Sequence, residues 1–189
     1  MKRTRISLHA ATILLIGGLS NSVCAAEVDF TISNKSVYGG LTVTPDSSKV
    51  NLAAGYLYHT DNRNSYHIDV HAQGQTVLGN LPTTAGIGFR GMGYKEGDID
   101  GYGIGIGGYG DVNIPEVPGL SAVASFHYAP TILSFSDAEN MKWFDAAISY
   151  RVIQNADVQL GYRYVKVAID DAKDRLADSG LFLGLRMNF

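Results

Sequence analysis

From Leu181 to Phe189 the chain keeps a two-residue beat. Leu181, Leu183, Leu185, Met187 and Phe189 are apolar. Gly184, Arg186 and Asn188 fall between them, with Phe182 the one large apolar residue off the beat. Alternation of this kind belongs to a strand with two unlike faces. The same beat recurs through most of the chain. Val50, Leu52, Ala54, Tyr56 and Tyr58 keep it, as do Tyr102, Ile104 and Ile106, then Leu160, Tyr162 and Tyr164. The expected fold is all-β, an antiparallel up-and-down barrel. Around Asn34-Lys35-Ser36 the apolar parity switches, because a turn or a bulge reverses the faces. A turn gives ten strands and a bulge nine. Single-chain bacterial barrels have even strand numbers, which favours ten, with eight as the alternative. Connections are expected after Tyr58, Tyr94, Tyr128 and Ile169 at one end, and at Pro45, Leu81, Pro115 and Gln154 at the other. The segment Pro130 to Asn140 is the longest expected loop.

The first residues follow different rules. Lys2, Arg3 and Arg5 precede an apolar stretch from Ile6 to Leu19, broken by Ser7, His9 and Thr12. That stretch is too short and too polar for a spanning helix of about 20 residues. Small residues then offer a cleavage site, Val23-Cys24-Ala25 or Cys24-Ala25-Ala26. The layout is that of a secretory signal peptide. The expected division is a leader over 1–26 and a barrel domain over 27–189. A lipoprotein acylated on Cys24 is the second reading, disfavoured by Asn21-Ser22-Val23 before it. All 18 acidic residues lie after the leader and three of the 15 basic ones lie within it. The exported part is therefore acidic, which argues against a nucleic-acid partner. Cys24 is the only cysteine, so no internal disulfide forms.

Alternation alone does not say whether the apolar face meets lipid or a dry core. The apolar faces carry no charge near mid-strand; Lys142 and Lys166 share that parity only at strand ends. The opposite face holds His67, Asp69, His71, Gln73, Arg90, Asp145, Arg151, Asp157, Arg163 and Arg186, too polar a set for a dry core. Tyr56, Tyr58, Tyr66, Tyr102, Tyr128, Tyr150, Tyr162 and Tyr164 keep the apolar parity, mostly near strand ends. That pattern suits aromatic girdles at a membrane surface. The outer membrane, with both chain termini on the periplasmic side, is the expected location.

Gly103-Ile104-Gly105-Ile106-Gly107-Gly108, Phe126-His127-Tyr128-Ala129-Pro130, Leu160-Gly161-Tyr162-Arg163-Tyr164 and the terminal strand resemble the YfaZ family of small outer-membrane proteins. The resemblance runs over most of the chain after the leader. It implies a β-barrel in a Gram-negative outer membrane and brings no catalytic residues with it. Gly184 and Phe189 fit the signal read by the barrel-insertion machinery, whereas Met187 stands where an aromatic is common. Partners expected on this basis are outer-membrane lipids, the insertion machinery and periplasmic chaperones.

Four constellations bear on chemistry. Gly103-x-Gly105-x-x-Gly108 has the spacing of a dinucleotide fingerprint, but Asp111 to Pro115 is a turn where that motif needs a helix. No cofactor is expected. His59, His67, Asp69 and His71 share one face, and a suitable register sets His59 beside His67 as metal ligands. The preferred reading is that these groups satisfy each other and water, with no metal. Arg90, Asp145, Arg151, Arg163 and Arg186 form a lumen charge network, in which Arg163 reaches Asp145 across a short hairpin. No His is followed two places later by Ser, so no catalytic residue is assigned and an enzyme is not expected. The leading expectation is a narrow polar lumen with a structural role or minor channel activity. A surface protein acting through its outer loops is the alternative, and a lipid-modifying enzyme the third reading.

Overall fold

The structure is a computed structural model and describes residues 24–45, 49–169 and 174–189. Residues 1–23, which carry most of the expected leader, lie outside that set, as do positions 46–48 and 170–173. The strands are β1 (Cys24–Ser33), β2 (Ser36–Pro45), β3 (Val50–His59), β4 (Arg63–Leu78), β5 (Leu81–Glu96), β6 (Ile99–Asn113), β7 (Leu120–Ala129), β8 (Ser134–Ser136), β9 (Ala138–Ile153), β10 (Ala156–Ile169) and β11 (Arg175–Asn188).

Ten of these close into an antiparallel barrel. Each strand pairs with its successor from β1 to β7, then β7 with β9, β9 with β10 and β10 with β11. The seam is β1 on β11, running from Glu27 opposite Asn188 to Ser33 opposite Phe182. Closure leaves no free edge in the ten-strand wall among the described residues, which a bilayer demands because hydrocarbon offers backbone groups no partner.

Local chemistry sets the turns. Asn34-Lys35 is a turn rather than a bulge, and ten strands rather than eight form the wall. The Ser33 hydroxyl accepts N–H bonds from Lys35 at 3.2 Å and Ser36 at 2.9 Å, holding the reversal. Gly97 takes a φ of 61° in the two-residue turn between β5 and β6. Gly79, with φ 64°, turns β4 into β5 two residues before the position expected at Leu81.

The segment from Pro130 to Asn140 is not the open loop expected. Pro130 has no N–H to give a sheet ladder, so β7 stops before it. A 3-10 turn at Thr131–Leu133 follows. β8 then lies on β6, outside the ten-strand closure, with Ser136 opposite Gly101 and Ser134 opposite Gly103. Ser136, at φ 61°, turns the chain into β9. β9 begins at Ala138, so the wall continues where a loop was expected.

The two faces separate as the alternation predicts. Leu181, Ile87 and Ile68 are 67–70% exposed on the outer wall, in line with Phe89, Ile104, Ile148 and Leu160. Seven of the eight expected girdle tyrosines are exposed there, and Tyr164 is half-buried. The other three, Tyr38, Tyr94 and Tyr109, point inward. A continuous apolar wall has no stable place in water and fits hydrocarbon.

The interior departs from expectation. At the end away from the chain termini it is a dry apolar cap. Leu57, Met92, Tyr94, Met141, Trp143, Val165 and Val167 are each at most 3% exposed. These residues share parity with the lumen charges. The expected polar lumen is thus confined to the rest of the barrel.

Candidate functional site: the barrel interior

Beneath the cap, the inward parity of neighbouring strands stacks charged groups at matching heights. β4 and β5 set Asp69 opposite Arg90. Arg90 donates from Nε to Asp69 Oδ1 at 2.8 Å and from Nη2 to Oδ2 at 2.7 Å. Asp69 also meets His67 Nδ1 at 3.0 Å, and His67 Nε2 lies 3.0 Å from the Tyr38 hydroxyl. Both members of the ion pair are buried. Charge-assisted, two-toothed geometry of this kind compensates much of the cost of desolvating the ions.

A second pair faces the first. β9 and β10 set Asp145 opposite Arg163, whose Nε donates to Oδ1 at 2.6 Å. Arg163 also donates to the Thr31 hydroxyl at 3.1 Å, and its guanidinium lies 4.2 Å from the Tyr38 ring centre. Trp143 Nε1 donates to the other Asp145 oxygen at 2.6 Å. The Arg90 guanidinium lies 5.3 Å from the Trp143 ring. Trp143 therefore joins cap and charges, with an apolar body above and a polar N–H below. Glycines make the room for these rings. The Tyr38 hydroxyl would lie 2.5 Å from a Cβ at Gly40 and 2.4 Å from one at Gly55.

Toward the chain termini a cavity of about 370 Å³ follows. His71 and His127, with Nε2 atoms 2.7 Å apart, stand on its inner side. Arg186 stands nearer the mouth among three carboxylates. Its Nε is 3.2 Å from Glu27 and 3.1 Å from Asp29, and Nη1 is 3.6 Å from Asp111. With its amide turned to suit, Gln159 accepts from Arg186 at 3.0 and 3.1 Å. Three carboxylates around one guanidinium make the mouth acidic.

Above the cap, the far rim is tied by Glu96. It pairs with Arg63 at 3.3 Å and Arg175 at 3.2 Å and accepts from the Tyr94 hydroxyl at 2.8 Å. That ring joins β4, β5 and β11 across the barrel end.

Of the residues expected to line the lumen, Arg90, Asp145, Arg163 and Arg186 lie in these tiers. Arg151 lies at the termini end, its side chain 58% exposed and 3.3 Å from Asp157. Gly184 faces inward against Thr31, while Phe189 is exposed at the seam. The register takes His59 away from the other metal candidates, while His67 stays bonded to Asp69. His59 stands opposite Arg63, and His67 stands opposite Gly55. His59 lies instead 3.6 Å from Asp61. Among the described residues no group of three or more His, Cys, Asp or Glu side chains is arranged to hold a metal ion. Sequence reasoning did not find Tyr38, Trp143 or His127 as lumen residues. The available signal was parity, since all three sit off the apolar beat.

This architecture has relatives of known structure. The outer-membrane protease OmpT from Escherichia coli is 10% identical, with 89% of this chain and 94% of that one covered and a TM-score of 0.50. The KdgM porin in complex with disordered oligogalacturonate is 10% identical, covering 87% and 99%, with a TM-score of 0.47. At such identity the likeness to OmpT concerns the fold alone, which is that of an outer-membrane barrel. No curated protein matches the chain. The family described as YfaZ precursor matches residues 1–189.

Proposed function

The chain belongs to the YfaZ family, and we propose that its outer-membrane barrel has a structural, non-conducting resting state with a polar chamber open toward the periplasm. One observation carries this reading: the apolar cap. Trp143, Tyr94, Leu57, Val165 and Val167 fill the lumen at the far end and exclude water. An ion crossing that layer would shed its hydration against mostly apolar side chains, with the buried Asp178 carboxylate at the height of Val165 already bonded to Ser36. Beneath the cap, each of two ion pairs ties neighbouring strands, β4 to β5 and β9 to β10, and the Arg90 guanidinium against the Trp143 ring links the two across the lumen.

The proposed orientation is the one general to bacterial outer-membrane barrels. Both termini face the periplasm, and the turns at Asn34-Lys35, Thr60–Asn62 and Gly97-Asp98 face outward. Those turns are short, and the segment before β9 is a 3-10 turn followed by the three-residue β8, which disfavours a surface-binding role. The partners are outer-membrane lipids along the wall and, during assembly, periplasmic chaperones and the insertion machinery, reading Gly184, Met187 and Phe189. No enzymatic role is proposed.

Planar-bilayer recording tests the resting state. Folded wild-type protein is expected to give no conductance steps, and a Trp143→Ala, Leu57→Ala double variant is expected to give them. Steady steps from the wild type would overturn the closed reading. They would favour the second one, a minor channel for ions or small solutes, for which the acidic mouth at Glu27, Asp29 and Asp111 supplies a cation preference. Asp145→Asn or Arg163→Gln would then alter the conductance.

A further inference from the structure

We infer that the leader is removed between Ala25 and Ala26, so that the exported chain begins at Ala26 rather than at Glu27. The inference rests on the reading of residues 1–25 as an export signal. The sequence offers two cuts, and the division expected above takes the second, after Ala26. Val23-Cys24-Ala25 and Cys24-Ala25-Ala26 both end on a small residue. The barrel distinguishes them by which residues the closing seam uses.

Ala26 is the outermost residue of β1 that has a partner on each side. On one side it stands opposite Val43 of β2. On the other it exchanges two main-chain hydrogen bonds with Phe189. The Ala26 N–H donates to the Phe189 carbonyl at 3.2 Å, and the Phe189 N–H donates to the Ala26 carbonyl at 2.8 Å. This is a closely spaced antiparallel pair. Cys24 and Ala25 differ. They stand opposite Pro45 and Thr44 of β2, and the β1–β11 ladder does not extend to them.

Beyond Asn188, then, the seam is closed by Ala26 alone. The β10–β11 register already ends at Ala156 opposite Met187. Among the described residues, Ala26 supplies both main-chain hydrogen bonds of Phe189. A cut after Ala26 removes them together and leaves the last residue of the seam unpaired. A cut after Ala25 keeps both. The amino group freed by hydrolysis of the Ala25–Ala26 bond then donates to the Phe189 carbonyl as an ammonium, and a charge-assisted bond replaces a neutral one. Water supplies the hydroxyl to the Ala25 carboxyl and the proton to that amine, so the step needs no co-reactant beyond the peptidase that performs it.

The same geometry bears on the lipoprotein alternative. A chain beginning at an acylated Cys24 would retain two residues that the seam does not use.

The test is the mass and amino-terminal peptide of protein extracted from the outer membrane after expression of the full precursor in a Gram-negative host. A chain beginning at Ala26 is expected. A start at Glu27, or an acylated Cys24, overturns the inference while leaving the export reading intact. An uncleaved precursor overturns both. A second measurement addresses the physical reason. Chains made to begin at Ala26 and at Glu27 are folded into the same detergent and unfolded in urea. The shorter chain is expected to unfold at lower urea and to show faster amide exchange at Phe189. Equal midpoints with equal exchange would remove the structural basis.

Discussion

Asp69 and Arg90 stand opposite each other on β4 and β5, and both carboxylate oxygens are taken by one guanidinium, at 2.8 and 2.7 Å. The pair is buried within a barrel whose outer surface is apolar. Its partners are therefore irreplaceable singly. Substituting Arg90→Ala leaves Asp69 with His67 alone. The expected loss of folding stability is about 3–5 kcal/mol, the range for stranding one member of a buried ion pair. Urea unfolding in phosphatidylcholine vesicles reads it directly, and a loss below about 1 kcal/mol would mean that water reaches Asp69.

Trp143 lies at the junction of cap and charges. Trp143→Ala deletes a fully buried ring and the donor to Asp145. The expected cost is about 3–5 kcal/mol. Trp143→Phe keeps most of the apolar volume but not the N–H, so its cost should be smaller, about 1–3 kcal/mol for the unsatisfied carboxylate oxygen. Equal losses for the two variants would show that the ring's packing contributes nothing beyond its hydrogen bond.

Outer and inner walls should respond oppositely to charge. Ile68 is 67% exposed on the outer wall at mid-strand. Ile68→Arg is expected to destabilise the barrel by about 2–4 kcal/mol in vesicles, the cost of arginine near the bilayer midplane. Thr84 lines the cavity opposite Asp111. Thr84→Arg places the new charge beside a carboxylate in a wet chamber, and a change within about 1 kcal/mol is expected. Reversal of that order would invert the two faces.

Two glycines should differ in what they tolerate. A Cβ at Gly88 would lie 2.1 Å from the Val70 carbonyl oxygen and 2.8 Å from the His71 Cα, both main-chain atoms. Neither can move without opening the β4–β5 ladder, so Gly88→Ala is expected to cost about 1–3 kcal/mol. Gly74 has nothing within 4 Å of the same position. Gly74→Ala should change stability by less than about 0.5 kcal/mol. Comparing the two urea midpoints isolates the close approach from the loss of glycine itself.

Legibility in the sequence followed how local the contact was. Arg163 and Asp145 could be matched because both keep the inward parity close to one short hairpin; the turn at Gln154-Asn155 sets Ile153 opposite Ala156, and a one-residue bulge beside it brings Asp145 opposite Arg163. The His59–His67 pairing failed for the same kind of reason. The turn at Thr60–Asn62 sets His59 opposite Arg63, which carries His67 on to Gly55. The dry cap was hidden because its residues share parity with charges. Val165 and Arg163 lie on one face of β10, as do Trp143 and Asp145 on β9. Parity names the face but not the height along it at which polar gives way to apolar.

Strand class, the two faces of each of the ten wall strands and the lipid-facing side are written in the alternation. Period-two alternation is a one-dimensional property and survives without any knowledge of neighbours. What fills the lumen is set by the closed ring. Arg163 meets Thr31 from 132 positions away, and His71 meets His127 from 56. Those meetings depend on the stagger at which ten tilted strands close. That stagger is a property of the closed ring, not of any one strand.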